Sequence, residues 1–150
     1  MTGRLDLYTA APAEMKAWFE MSLKIAPKLE HSLLELVKIR ASQINGCAYC
    51  IHMHTKDARA KGEIGERLYL LNAWRESPLY TDRERAALAW TEALTLISET
   101  HAPDAEYEDL RKHFNETETT NLTALIGVIN TWNRIAIGFR AVHPVKVKAA

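Results

Sequence analysis

The stretch that decides the fold is Glu35-Leu-Val-Lys-Ile-Arg-Ala-Ser-Gln-Ile-Asn-Gly-Cys-Ala-Tyr-Cys-Ile-His-Met-His54. With Leu33 just before it, its first half carries Leu36, Val37, Ala41 and Ile44 at helical spacing, so His31 to Asn45 reads as a helix. Asn45-Gly46 is a stop and a turn. A second helix begins near Cys47 and runs to Lys61-Gly62. On that helix Cys47, Cys50 and His54 fall three, four and seven residues apart and share one face, whereas His52 points the other way. Two cysteines at a helix start meet free backbone N–H groups and the positive end of the dipole. Both favour thiolate, and a nearby histidine adds to this.

Outward from this hairpin the chain reads as helical almost throughout. Six glycines and five prolines fall mostly between periodic segments, and no run alternates apolar and polar long enough for a strand. After a loose start, Ala13 to Ile25 is a helix broken by Pro27. Ile64 to Arg75 is another, closed by Ser77-Pro78. Thr81 with Glu84 forms a capping box for a helix reaching about Ser98. Pro103 to Phe114 is short. The last and longest helix starts at Thr117 or Thr119 and reaches about Val142. It is apolar on most sides, so it is covered by its own fold or by a partner subunit. The tail Val145 to Ala150 reads as frayed. The expectation is an all-α bundle of six to seven helices in one domain, 1–150.

Composition narrows the function. The 19 basic and 19 acidic residues cancel, so there is no electrostatic footprint for nucleic acid or an anionic membrane. Glu14, Lys16 and Glu20 interrupt any leader pattern in the first thirty residues. Asn130, Asn133 and Arg134 interrupt the most apolar segment, which argues against a membrane span. A soluble, cytoplasmic protein is the default expectation. In that compartment a Cys-x-x-Cys is reduced, metal-bound or catalytic.

Three readings of the cysteines compete. A redox dithiol is favoured: one thiolate is oxidised to a sulfenic acid and the other condenses with it. Two buried helix cysteines acting as small hydrophobes are the plain alternative. Zinc on Cys47, Cys50 and His54 is the third, but it lacks a fourth ligand. His54 is a candidate proton relay to Cys50. Glu35, by pattern alone, lies opposite the apolar face with Lys38 and Ser42, and reads as solvated. Tyr49 between the cysteines lines the site or packs. Trp18, Trp74, Trp90 and Trp132 read as core or subunit contacts. Arg83-Glu84-Arg85 reads as a solvated charge run.

The stretch from Glu35 to Arg59 resembles the carboxymuconolactone decarboxylase superfamily, specifically its AhpD-like alkylhydroperoxidase branch. That branch carries a glutamate, eleven residues, Cys-x-x-Cys, three residues and a histidine, here Glu35, Cys47, Cys50 and His54. The resemblance extends to Arg4-Leu-Asp and to Trp74 through Leu88. It implies an AhpD-like helical fold assembled into homo-oligomers, often trimers or hexamers. It implies a thiol-dependent peroxidase that reduces hydrogen peroxide or organic hydroperoxides. Cys50 would attack peroxide, Cys47 would resolve, and Glu35 with His54 would relay protons, against the pattern reading of Glu35. No metal or organic cofactor is implied, and the electron donor would be a dithiol, of lipoyl type by resemblance. The AhpD enzymes carry histidine where this chain has Tyr49, and they are longer. A redox-sensing or partner-binding subunit using the same disulfide is the rival reading. A lactone decarboxylase is a third, disfavoured because those members lack the dithiol.

Overall fold

The computed structural model describes residues 2–145. Among them the ordered elements are all helical: α1 (Leu7–Ala10), α2 (Pro12–Ile25), α3 (His31–Asn45), α4 (Ala48–Ala60), α5 (Gly65–Tyr69), α6 (Asp82–Thr95), α7 (Ile97–Thr100), α8 (Asp104–His113) and α9 (Glu116–Gly138), with 3-10 turns at Ala26–Lys28 and Leu71–Ala73. The all-α expectation holds, but nine helices replace six to seven among the described residues. The fraying expected beyond Val145 lies outside them.

The differences have local causes. One turn, α1, forms at the loose start because the Asp6 carboxylate caps Tyr8 and Thr9 N–H groups. The helix expected over Ile64–Arg75 breaks at Leu70, which leaves helical geometry at φ −91°, ψ 1°. The Arg85 guanidinium takes the carbonyls of Trp74, Arg75 and Ser77, so that segment is tied down as a turn. The helix expected to reach Ser98 is interrupted at Leu96, and α7 follows. The Thr81–Glu84 capping box is present at the start of α6. A second one, Asn115 with Glu118, starts α9 slightly earlier than expected. At the other end α9 stops at Gly138, and Arg140 turns the chain with φ 55°.

Helix α3 is central and packs against α4, α6 and α9. Leu33, Leu34, Glu35, Leu36, Val37, Ile39, Ala41 and Ser42 are all buried, so neighbours cover it on every side. One core joins α2, α3, α6, α8 and α9 around Val37, Leu110, Phe114, Leu122 and Ile126. A second fills the space under α5 with Leu36, Ile39, Leu71, Trp74 and Leu88. A third, small cluster holds Ala41, Cys47, Cys50 and Ile129 together, with Tyr49, Trp132 and Ala136 against it. Trp74 and Trp90 are core residues, and Trp18 and Trp132 pack on the core from its margin.

The charge run at the start of α6 is not the solvated face expected. Arg83 lies over the Phe114 ring, with its guanidinium carbon 3.8 Å from the centroid, and donates to the His113 carbonyl and to Glu118. Arg85 is the turn anchor already described, and Glu84 pairs with Arg67. Each long stem crosses apolar surface to reach a fixed acceptor.

Candidate functional site

The hairpin between α3 and α4 is closed by the backbone. Gly46 takes the left-handed conformation, φ 70°, which glycine adopts without a Cβ penalty. The Gly46 N–H donates to the Gln43 carbonyl (3.2 Å) and the Cys47 N–H to the Ser42 carbonyl (2.9 Å), a Schellman closure. Cys47 is thereby the N-cap of α4, and its sulfur accepts the Cys50 N–H at 3.3 Å. Both cysteines are buried and free, with their sulfurs 2.6 Å apart.

This placement splits the two thiols. The hydrogen bond from Cys50 holds the Cys47 thiol down at about 7, and burial opposes this only in part. Backbone N–H groups at the helix start and the Asn133 amide act in the same direction. Cys50 is pushed far up, first by its hydrogen bond to Cys47, then by burial and by the negative charge next to it. The pair therefore takes up one negative charge near neutrality and resists a second.

Glu35 is where the pattern reading fails. It is 4% exposed and faces α4, not solvent. Its Oε2 lies 2.8 Å from His54 Nδ1, and its Oε1 accepts from Lys38 Nζ at 3.2 Å. Burial alone would raise its carboxyl, but the His54 hydrogen bond and charge, with those of Lys38, outweigh burial and hold it below the usual range. His54 is buried as well. Its Nδ1 is fixed by Glu35, which leaves Nε2 for other work. His52 is exposed, as its phase on α4 indicated, and stacks on His143 with ring centroids 4.8 Å apart.

Cys50 and His54 line one cavity of about 630 Å³. Its walls are mainly apolar: Phe19, Leu23, Met53, Leu125, Trp132 and Ile135 among others, with Lys38, Tyr49 and Asp57 as polar members. Cys47 is not part of that lining; it sits behind Cys50. Tyr49 lines the site, one of the two readings open to it, whereas sequence reasoning missed the far wall of the cavity, whose residues come from α1, α2, α9 and the segment after α9. It also missed Asn133, which is fully buried beside the sulfurs. The available signal was an asparagine set among Val128, Ile129, Trp132 and Ile135 in the most apolar segment of the chain.

Among the described residues, the group whose ligand atoms lie close enough to share a metal is Glu35, His54 and Asp57, within 4.8 Å of one another. The trio weighed from sequence, Cys47, Cys50 and His54, is not such a group. The buried members of the observed set already satisfy each other, because Glu35 pairs with His54 and Lys38.

No helix among the described residues is long and apolar enough to cross a membrane. Residues 12–93 match the carboxymuconolactone decarboxylase family. The uncharacterized protein YdfG of Bacillus subtilis (strain 168) is 43% identical over 138 residues, 91% of this chain and 94% of YdfG. A protein of unknown function from Agrobacterium tumefaciens, a candidate antioxidant defence protein AhpD, superposes with a TM-score of 0.94 at 46% identity. That match covers 97% of this chain and 100% of the other. An uncharacterized peroxidase-related protein from Silicibacter sp. TM1040 matches with a TM-score of 0.78 at 25% identity, over 89% of this chain and 71% of its own. Motif, fold and relatives agree: the chain belongs to the carboxymuconolactone decarboxylase family, in its AhpD-like branch.

Proposed function

We propose that this chain is a thiol-dependent peroxidase, a single AhpD-like domain over 1–150 that reduces hydroperoxides through a Cys47/Cys50 dithiol–disulfide cycle. The observation that carries the reading is the placement of Cys50. It opens into an apolar cavity with His54, while the sulfur of Cys47 touches it from behind.

The steps follow from the single charge that the pair holds. As a hydroperoxide enters, the shared proton passes to Cys47, and the Cys50 thiolate attacks the terminal peroxide oxygen. The O–O bond breaks. Cys50 becomes a sulfenic acid, and the alcohol leaves with a proton from His54. Glu35, held ionised, orients His54 through Nδ1. His54, now neutral, is the base for the second step. It takes the Cys47 proton as Cys47 attacks the Cys50 sulfur, the S–OH bond breaks, and His54 returns that proton to the departing hydroxide, which leaves as water. A disulfide remains, and an external dithiol reduces it by exchange. The substrate's two oxygens end as alcohol and water, and the two electrons come from the dithiol.

Cys50 is the attacking thiol in this reading although Cys47 carries the resting charge, because access decides. The cavity reaches Cys50 and not Cys47. Its size and apolar walls favour an organic hydroperoxide over hydrogen peroxide, which would leave most of the space dry. Phe19, Leu23 and Ile137 are about half exposed beside the apolar α9, a surface that suits assembly of several copies. The test is steady-state turnover of cumene hydroperoxide with a dithiol reductant, on wild type and Cys50→Ser. The reading expects turnover in the first and none in the second. Equal rates for both would overturn it.

A further inference from the structure

Two asparagines of helix α9, Asn130 and Asn133, are buried among Leu125, Ile126, Val128 and Ile129. A buried amide is costly unless hydrogen-bonded, so each group needs a partner. Asn130 is complete. Its Nδ2 donates to Thr95 Oγ1 (3.1 Å) and to the Ile126 carbonyl (2.9 Å). Its Oδ1 accepts from Asn45 (2.9 Å) and Arg134 (3.2 Å).

Asn133 is different. It has no exposed surface. Its Oδ1 accepts from Asn45 Nδ2 at 2.9 Å, and its Nδ2 donates to Ser42 Oγ at 2.9 Å. The Ser42 hydroxyl already donates to the Lys38 carbonyl at 2.7 Å, so towards Asn133 it can only accept. Asn45, a donor there, forbids the flipped amide as well. The orientation is fixed from both sides, and one N–H of Asn133 remains without an oxygen acceptor. The cysteine cluster lies on that face of α9: Ile129, one turn before Asn133, belongs to it with Cys47 and Cys50, and Trp132 and Ala136 on either side of Asn133 pack against it. The Ser42 that accepts from Asn133 also holds the Cys47 N–H through its carbonyl at 2.9 Å.

We infer that Asn133 is the side-chain donor that holds the negative charge of the Cys47/Cys50 pair, with Asn45 and Ser42 locking its amide in the donating orientation. The inference rests on the redox reading of that pair. The amide bears on both sulfurs and favours the ionised form of each. It can therefore follow the charge from Cys47 to Cys50 as the proton crosses, without moving. Backbone N–H groups at the start of α4 act beside it: those of Tyr49 and Cys50 on Cys47, and that of Cys50 on Cys50 itself.

The test reads the thiols without peroxide. Asn133→Leu keeps similar bulk and removes the donor. The rate of single alkylation by iodoacetamide is measured against pH, together with thiolate absorbance. The half-titration point of the first thiol should rise by about one unit, which is about a tenfold slower alkylation at pH 6. Thr95→Val removes a hydrogen bond from the same network, one amide away, and should leave the titration where it is. If the leucine variant does not fold, Asn133→Ala removes the same donor without adding branches and is read the same way. A wild-type titration in the Asn133 variant overturns the inference, and so does an equal rise in Thr95→Val. If the Asn133 titration moves while wild type fails to turn over hydroperoxide, the peroxidase reading falls and the charge-holding role stands.

Discussion

Replacing Glu35 by glutamine separates the two jobs of one buried carboxylate. Glutamine fits the space, and its oxygen can still accept from His54 Nδ1. Its amide then faces Lys38 Nζ, which now lies 3.2 Å from the carboxylate it balances. The gross attraction across that distance is about 5 kcal/mol at an effective dielectric of about 20, and most of it offsets desolvation. Lys38 is half-buried on a flexible stem and can swing towards water, so its stranded charge adds little. The net loss is that of a charged hydrogen bond, about 2 kcal/mol, or roughly 4–8 °C in Tm for a chain of this size. The sign with pH is fixed by the depressed carboxyl. Its contribution is present above the unfolded value and is lost as pH falls through the folded value, so the gap between wild type and variant narrows below about pH 4. The catalytic loss is larger, roughly 10²–10⁴-fold in turnover, because His54 loses the charged partner that orients it. Turnover with cumene hydroperoxide and thermal unfolding at two pH values measure both effects. Near-wild-type turnover would refute the relay. A stability gap as wide in acid as at neutrality would refute the ion-pair argument.

Three further outcomes are expected. Alkylation of wild type should show one thiol titrating near pH 7 and a second that stays protonated well above the ordinary cysteine range, since the neighbouring charge suppresses it. A single transition for both would refute the shared charge. Leu125→Trp, which fills the cavity beside Cys50, should raise KM for cumene hydroperoxide by tenfold or more while changing hydrogen peroxide turnover little; equal loss on both substrates would deny the cavity a role in selection. Light scattering at micromolar concentration should give a multiple of 17.0 kDa, and a monomer would leave the exposed face of Phe19, Leu23 and Ile137 unexplained.

What was legible in the sequence follows physical lines. Helices with strong periodicity and local stop signals were readable: Asn45-Gly46 ends α3 where it should, and the Thr81–Glu84 box begins α6. The Asn115–Glu118 box has the same signature and went unread behind the threonines after it. The break at Leu70 is not local, because it depends on Arg85 reaching back to carbonyls of the preceding turn. Glu35 shows the limit of periodicity. A helix has an outside only if something is absent there, and α3 is covered all round. Only the resemblance to the AhpD-like branch pointed to Glu35. The far wall of the cavity and the partners of Asn133 were not readable, since residues from α9 meet the α3–α4 hairpin only through tertiary packing.

The central claim is a dithiol that gives two electrons to a hydroperoxide. The most direct measurement is intact mass with peptide mapping after reduced protein receives one equivalent of cumene hydroperoxide. The account predicts loss of two hydrogens, a Cys47–Cys50 linkage, one equivalent of alcohol, and full reversal by dithiothreitol. Two freely alkylatable thiols and unconsumed hydroperoxide would contradict it.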